Sequence, residues 1–218
     1  MRRACRGQTV KTMGLPQRSI LEPFDPNKHD AGTVAALIYD ADPEINAFVF
    51  GPRDQAIERI RTLMTIPDTY YAAPRLACIV SAGTVVGIVA GYAAHDTGAI
   101  ERSVGAAFVR AFGFIAFVRR LPMFLKLGRI LAKRMDSEGY YIVYLSVLAT
   151  ERGKGHGAAA VTELGNAWPT LYLHVAADNL SAIRFYERNG FVALRRHRGK
   201  IGKTTLGAIF MSRASGRP

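Results

Sequence analysis

A glycine-rich segment that follows an apolar run is the feature that most constrains this chain. Residues Tyr140–Leu148 are almost entirely apolar, which is typical of a buried strand. The segment Arg152–Gly157 reads RGKGHG and opens a helical pattern of small residues that runs to Ala167. Glycine permits positive φ and close approach to a ligand, and a helix N-terminus presents unpaired N–H groups to an anion. The sequence therefore predicts an anion-binding loop that suits a diphosphate, with Arg152 and Lys154 adding positive charge.

Two nucleotide-binding patterns occur nearby, and neither is complete. Gly153, Gly155 and Ala158 satisfy the spacing of the dinucleotide fingerprint, but only about forty residues follow Asp178, too few to finish a doubly wound sheet. Residues 199–204 mimic a phosphate-binding P-loop, yet His197 stands where the first glycine is required, and a strand-like run follows instead of a helix. Both nucleotide interpretations are rejected.

A second motif follows the next predicted strand. Residues Asn179–Phe191 read N-x-x-A-x-x-F-Y-x-x-x-G-F. Together with Arg152-x-x-Gly155-x-Gly157, in this order and separated by one strand, the motif resembles the GNAT superfamily of acetyl-CoA-dependent N-acetyltransferases. The resemblance covers residues 140–191 closely and the preceding helix–helix–strand–strand order in outline. It implies an α+β fold with a mixed, mostly antiparallel central sheet flanked by helices, and acetyl-CoA as the acetyl-donor cosubstrate.

The resemblance also implies which residues hold acetyl-CoA. In the family, the strand before the loop separates from its neighbour, its backbone pairs with the pantetheine arm, and the loop backbone holds the pyrophosphate. Asn179 matches a position that contacts the pantetheine. The implied cofactor-binding residues are Leu145, Ser146, Val147, Arg152, Gly153, Lys154, Gly155, His156, Gly157, Ala158, Asn179 and Tyr186.

Two residues are candidates for proton transfer. Tyr186 matches the general acid that returns a proton to the departing CoA thiolate. A phenol of pKa ~10 needs favourable geometry to protonate a thiolate whose parent thiol has pKa ~8.5. A hydrogen bond from the phenol to the sulfur can therefore matter more than full proton transfer. The alternative for Tyr186 is a core aromatic beside Phe185. His174 stands where several family members carry a glutamate base, five residues before Asn179, and a structural histidine bonded to a neighbour is the equal alternative.

The activity implied by the resemblance is acetyl transfer to a primary amine of an unidentified acceptor, a small molecule or a peptide. We expect direct attack in a ternary complex, because the amine can lose a proton and react with the thioester without an acyl-enzyme. A backbone N–H near Val147 is expected to hold the oxyanion. No Cys/His ligand spacing is present, so no metal is expected.

Positive charge is concentrated in three segments. The net charge is +12, and residues 1–20, 102–134 and 195–218 contain Lys and Arg but no acidic residue. The middle segment is predicted to be a basic helical insert, with one helix up to Arg120, a break at Leu121–Pro122 and a second helix to Arg134. Chain order suggests that the insert covers the acceptor site. The alternatives are a packed hairpin, a homodimer contact, or a non-catalytic binding protein whose basic helices dock on nucleic acid or an anionic membrane surface.

The remaining pattern predicts a single domain between two tails. Residues 1–20 are predicted to form a basic flexible tail, 21–213 one GNAT-like domain and 214–218 a C-terminal tail. Before the insert we expect helices over 29–39 and 54–64, then strands over 75–81 and 84–94. With 49% hydrophobic and 21% charged residues the chain is not of the disordered class. No apolar run reaches the ~18–20 residues of a membrane span, and no secretory signal is recognisable, so a cytoplasmic protein is expected.

Overall fold

The first two helices begin at aspartate side chains that cap them. The structure, a computed structural model, describes residues 19–131, 133–201 and 204–214. Strand β1 (Ile20–Pro23) is followed by α1 (Ala31–Ala41), α2 (Pro43–Phe50) and α3 (Arg53–Met64). The carboxylate of Asp30 accepts a hydrogen bond from the Thr33 backbone N–H at 2.7 Å and starts α1. Asp42 accepts one from the Ile45 backbone N–H at 3.1 Å and starts α2.

Helix α2 and strand β1 were missed by the sequence analysis, whereas α1 and α3 were predicted. The pair Asp42–Pro43 marked only the end of α1 in the sequence pattern. A proline in the first helical position is also favourable, because its missing N–H would have no partner there. Asp42–Pro43 therefore both ends α1 and begins α2. Ile20, assigned to the predicted tail, is the first residue of β1.

A tight hairpin connects the next two strands, as predicted. Strands β2 (Leu76–Ser81) and β3 (Thr84–Ala93) are antiparallel neighbours. The two turn residues, Ala82 and Gly83, have φ values of +51° and +76°. Two successive left-handed residues match the twist of paired strands, which is why such turns are favoured in hairpins.

The insert between β3 and β4 consists of two long helices whose junction differs from the prediction. Helix α4 (Thr97–Phe112) ends at Gly113, which has φ +79°, and α5 (Phe114–Ile130) follows it directly. The predicted break at Leu121–Pro122 is wrong, because Pro122 lies inside α5. The proline has no backbone N–H, so α5 lacks one of its backbone hydrogen bonds at this position. Pro122 is exposed, so water can reach the backbone that this change leaves unbonded.

The second half of the chain completes a seven-stranded sheet. Its elements are β4 (Tyr140–Val147), α6 (His156–Ala167), β5 (Thr170–Ala176), α7 (Leu180–Arg188), β6 (Val192–Ile201) and β7 (Thr204–Ala214). The strand order is β1-β2-β3-β4-β5-β7-β6, and among the described strands only the β4–β5 pair is parallel. The predicted α+β fold with a mixed, mostly antiparallel sheet flanked by helices is confirmed.

Helices cover both faces of the sheet. Successive residues of β3 point to opposite faces: Ile88 joins the core beneath α1–α5, and Val89 joins the core beneath α6 and α7. The predicted tails fall largely outside the described residues, as does Cys5. Across the described ranges, no helix combines the length and the apolar character needed to cross a membrane.

Candidate active site

The two parallel strands at the centre of the sheet separate partway along their length. Strand β4 pairs with β5 only from Tyr140 to Ile142, opposite Leu171 to Leu173. Beyond that point β4 continues to pair with β3, and β5 with β7. The register between β3 and β4 shifts after Ala90, and such a bulge bends a strand and increases its twist. The β5 side of residues 143–147 is thereby opened, which creates a cleft between the strands.

The glycine-rich loop lies after the end of the open strand. Gly153 and Gly155 have φ values of +78° and +90°, a region that side-chain-bearing residues rarely adopt. A Cβ on either glycine would have no atom within 4 Å, so the loop faces open space. Gly155 precedes the first turn of α6, and no side chain within the described ranges caps that turn. The backbone N–H groups of the first turn are therefore available to an anion.

Gly157 has a different function from the other two loop glycines. A Cβ at this position would lie 3.2 Å from the Cζ atom of Phe185, so glycine permits α6 to pack closely against α7. The two GNAT-like motifs meet at this contact.

The charged side chains of the loop are partly neutralised. Lys154 Nζ donates to Glu151 Oε1 at 2.9 Å, and His156 Nε2 lies 3.4 Å from Glu151 Oε2. The hydrogen bond from Lys154 lowers the pKa of Glu151 below its ordinary value. Arg152 Nε donates to the backbone carbonyl of Val147 at 3.0 Å, which ties the loop to the end of β4. His156 is buried rather than exposed, so its side chain faces Glu151 instead of solvent.

A cavity of about 200 Å³ lies where β4 and β5 separate. Of the sequence-predicted site residues, Leu145, His174, Asn179 and Tyr186 line it, whereas Ser146, Val147 and the loop residues 152–158 do not. The insert contributes a wall of apolar side chains, namely Phe108, Phe124, Leu127 and Leu131. Side chains of the insert thus line the same cavity as the predicted site residues Leu145 and His174.

Tyr186 lies at the cavity with its hydroxyl in a largely apolar setting. Its ring packs edge-on against Phe185 and Phe191, at centroid distances of 5.1 and 5.4 Å. Burial raises the pKa of Tyr186 above its ordinary value, so the phenol stays protonated at neutral pH. A protonated phenol at this position can donate a hydrogen bond to a thiolate. Asn179 caps α7 by accepting from the Ala182 backbone N–H at 3.0 Å.

His174 projects from β5 on the face opposite Leu173 and Val175, as its position in the strand predicts. Its Nδ1 lies 2.7 Å from the Tyr141 hydroxyl, and its ring stacks on Phe210 at 4.9 Å. Burial holds the pKa of Tyr141 well above its ordinary value, so this hydroxyl is neutral. The contacts fix the orientation of the imidazole at the cavity wall.

A polar cluster that the sequence analysis missed forms the opposite wall. The Tyr71 and Tyr144 hydroxyls are 3.2 Å apart, and Tyr144 donates to Asn46 Oδ1 at 3.2 Å. Asn46 is fully buried, and its Nδ2 donates to the backbone carbonyls of residues 38 and 39 at the end of α1. Asp42 lines the same cavity, and burial raises the pKa of its carboxyl.

Of the two cysteines in the sequence, Cys78 lies within the described residues. It is fully buried in β2, and burial raises the pKa of its thiol to about 11. The thiol is therefore protonated at neutral pH and unsuited to act as a nucleophile.

The separated strands, the uncapped helix N-terminus and the adjoining cavity together define the cleft of an acyl-CoA-dependent transferase. Comparison with known proteins agrees with this class. The model of the acetyltransferase (GNAT) family matches residues 51–191, which is more than half of the chain. The chain therefore belongs to the GNAT acetyltransferase family, whose members use acetyl-CoA as cosubstrate, and the predicted resemblance is confirmed.

Individual relatives are similar over different lengths. The mycothiol acetyltransferase of Jonesia denitrificans is 35% identical over 66 residues, which are 28% of this chain and 21% of that protein. The match thus spans about a fifth of the length of that curated relative. A solved structure described as histone acetyltransferase HPA2 and related acetyltransferase, from Corynebacterium glutamicum, has a TM-score of 0.58 at 18% identity and covers 92% of this chain and 98% of its own. The structure of an N-acetyltransferase from Staphylococcus aureus has a TM-score of 0.57 at 16% identity, and the match covers 88% of this chain and 99% of that one. These two structures show a shared fold.

Proposed function

We propose that this protein transfers an acetyl group from acetyl-CoA to the primary amine of an acceptor by direct attack in a ternary complex. The observation that carries the proposal is the separation of β4 from β5 beyond Ile142, with the open strand leading to the glycine-rich N-terminus of α6. A thioester in this cleft lies between an anion-binding loop on one side and an apolar cavity on the other.

The pantetheine arm and the diphosphate of acetyl-CoA each have a matching element in the cleft. The open backbone edge of Leu145, Ser146 and Val147 suits the amide groups of the pantetheine arm, because it offers peptide groups that β5 does not pair. The diphosphate suits the first-turn N–H groups of α6 and the backbone of residues 152–158. Asn179 has an amide nitrogen to offer, since its Oδ1 already accepts the capping bond of α7.

Acetyl-CoA binding is the first experimental test of the proposal. At 100 times its Kd, acetyl-CoA should stabilise the folded protein by about 2.7 kcal/mol, because a ligand that binds only the native state shifts the unfolding equilibrium. Thermal unfolding at increasing acetyl-CoA concentration measures the effect, with acetate at the same concentrations as the control. A melting temperature that does not change with acetyl-CoA would contradict the proposal.

His174 is proposed to accept the proton that the attacking amine must lose, directly or through water. This function needs the tautomer in which Nδ1–H donates to the Tyr141 hydroxyl and Nε2 carries the lone pair. The Tyr141 hydroxyl lies 2.7 Å from Nδ1 and can accept this hydrogen bond. Tyr141 then acts as a positioning residue that orients the imidazole.

Replacing His174 with glutamine should lower kcat/KM about 100-fold near neutral pH. The variant should also lose the fall in activity on the acidic side of the pH profile, because that fall reports protonation of the general base. His95→Gln, which changes a largely exposed histidine, is the matched control. A lowered melting temperature with an unchanged acidic limb would show that His174 is structural instead.

Asp42 is proposed to attract the acceptor amine as a cation. It is the acidic residue among those lining the cavity, and most of the other lining side chains are aromatic or aliphatic. Two neighbouring acids are placed differently: Asp40 pairs with Arg53 at 3.1 Å, and Glu44 is exposed. An amine with an apolar body matches a cavity of this composition.

Asp42→Asn should raise the acceptor KM about tenfold, which corresponds to ~1.4 kcal/mol of lost attraction, with kcat little changed. Asparagine still caps α2, so the helix should remain intact. Because burial raises the pKa of Asp42, acceptor affinity in the wild type should start to fall at a higher pH than an ordinary aspartate would give. Steady-state kinetics with the fastest amine of a panel measures both effects. Asp40→Asn is the control, and an equal rise in KM in both variants would remove Asp42 from this role.

A further inference from the structure

Helix α5 has an exposed apolar stripe in addition to the apolar face that packs on the protein. Phe117, Phe124 and Leu127 face the core beneath α1–α5. On the outer side, the side chains at positions 114, 118, 121 and 125 share one face by helical spacing, with Ile115 at its edge. Their exposed fractions are high: 69% for Phe114, 72% for Ile115, 47% for Val118, 39% for Leu121 and 59% for Leu125. Single exposed apolar residues are ordinary, but a contiguous stripe marks an interaction surface.

Positive charge borders this stripe. Arg119 and Lys126 lie along one flank of α5, and Arg129 lies near its end; all three are exposed. Arg110 is exposed in the last turn of α4. The sequence has no acidic residue between Arg102 and Arg134. Arg120 is different, because its guanidinium lies over the Phe112 ring at 5.2 Å.

We propose that the outer face of α5 docks on an anionic membrane surface. Phe114, Ile115, Val118, Leu121 and Leu125 enter the boundary between headgroups and acyl chains, and Arg119, Lys126 and Arg129 contact lipid phosphates. An apolar stripe flanked by Lys and Arg is the composition of helices that lie in the plane of a membrane interface. This surface is separate from the acetyl-CoA cleft, and the proposal does not depend on the proposed function.

The same features disfavour two other partners. A second copy of the chain on this face would bring two sets of like charges together, which opposes association. Nucleic acid would require cations at the centre of the face and aromatic rings for base stacking. The centre of the stripe is instead formed by Val118, Leu121 and Leu125.

Docking on this face would also affect the cleft. The inner side of α5 contributes Phe124 and Leu127 to the cavity, so the helix would lie between the membrane and the cavity. An acceptor amine carried by a membrane-associated molecule would then be near the apolar wall of the site.

Vesicle flotation with the full chain tests the proposal. The protein should float with vesicles that contain phosphatidylglycerol, should not float with vesicles of phosphatidylcholine alone, and should bind less as salt increases. Absence of binding to the anionic vesicles, or equal binding to both kinds, would overturn it. So would stronger binding to RNA, or a dimer that Phe114→Ser and Ile115→Ser abolish.

Matched variants locate the surface. Arg119→Gln, Lys126→Gln and Arg129→Gln together should weaken binding roughly 100-fold, because each positive charge near the surface contributes about fivefold. The control removes three exposed arginines elsewhere, with Arg61→Gln, Arg184→Gln and Arg188→Gln, and should weaken binding less than the first set.

The apolar contribution has its own pair of variants. Phe114→Ser with Ile115→Ser should weaken binding at least about tenfold, whereas Leu180→Ser with Val192→Ser, each 60% exposed on other elements, should leave it unchanged. Thermal unfolding confirms that each variant is folded. Equal losses in the test and control sets would overturn the assignment to α5.

Discussion

Replacing Tyr186 with phenylalanine should lower kcat about 100-fold while leaving the affinity for acetyl-CoA nearly unchanged. The proposed role of the hydroxyl is to stabilise the CoA thiolate as it departs. In enzymes, a positioned proton donor increases the reaction rate by roughly 10²–10⁴-fold. Burial raises the pKa of Tyr186, which keeps the donor protonated. It also makes complete proton transfer to a thiolate, whose parent thiol has an ordinary pKa of ~8.5, less favourable. We therefore infer a hydrogen bond to the sulfur as the main contribution.

The effect on stability separates this role from a packing role. The ring contacts with Phe185 and Phe191 are kept in Tyr186→Phe, so the melting temperature should change little. Tyr140→Phe is the matched control, since burial also raises the pKa of Tyr140, to about 12, and its ring packs against Trp168 away from the cavity. A Tyr186→Phe variant with wild-type kcat would show that Tyr186 is a core aromatic only.

Replacing Gly155 with valine should reduce acetyl-CoA affinity by roughly 100-fold or more. Gly155 has φ +90°, and the space beside it is open in the free protein. A side chain there would fill the space that we assign to the diphosphate and would move the first-turn N–H groups of α6 away from it. Isothermal titration with acetyl-CoA measures the loss.

Gly83→Val is the control for backbone strain. Gly83 has φ +76°, also has no atom within 4 Å of an added Cβ, and lies in the β2–β3 turn. A side chain in left-handed backbone costs about 1–2 kcal/mol, so the two variants should lose similar stability. Only Gly155→Val should lose acetyl-CoA binding. Similar affinities in the two variants would argue against a diphosphate at α6.

The parts of the site that are formed by consecutive residues could be predicted, because the residue types of each motif determine its local backbone geometry. The positive φ values of Gly153 and Gly155, the capping of α7 by Asn179 and the outward position of His174 on β5 all follow from local rules. The twist that separates β4 from β5 depends on pairing with β3 and β7 and leaves no local sequence signal. Only the resemblance to a family suggested it.

The features that the sequence analysis missed depend on the surroundings that the fold gives to each residue. The cluster of Asn46, Tyr71 and Tyr144 brings together residues from three distant parts of the chain, and each of them alone appears as an ordinary core or helix residue. The break in the insert was placed at Pro122, although Gly113 with positive φ ends the helix. A proline usually breaks a helix interior because one carbonyl loses its N–H partner. At the exposed position of Pro122, water can reach that carbonyl. The role of the insert as a cavity wall follows from packing that only the structure shows.

The most direct test of the account is release of free CoA thiol from acetyl-CoA in the presence of amines. The panel would contain polyamines, aminoglycosides, peptides with free N-termini and lysine peptides, with the acetylated product identified by mass spectrometry. We expect thiol release that requires both protein and amine, falls about 100-fold in Tyr186→Phe, and leaves no acetyl group on the protein. Thiol release at the protein-free rate across the whole panel, or an acetylated cysteine formed during turnover, would contradict it.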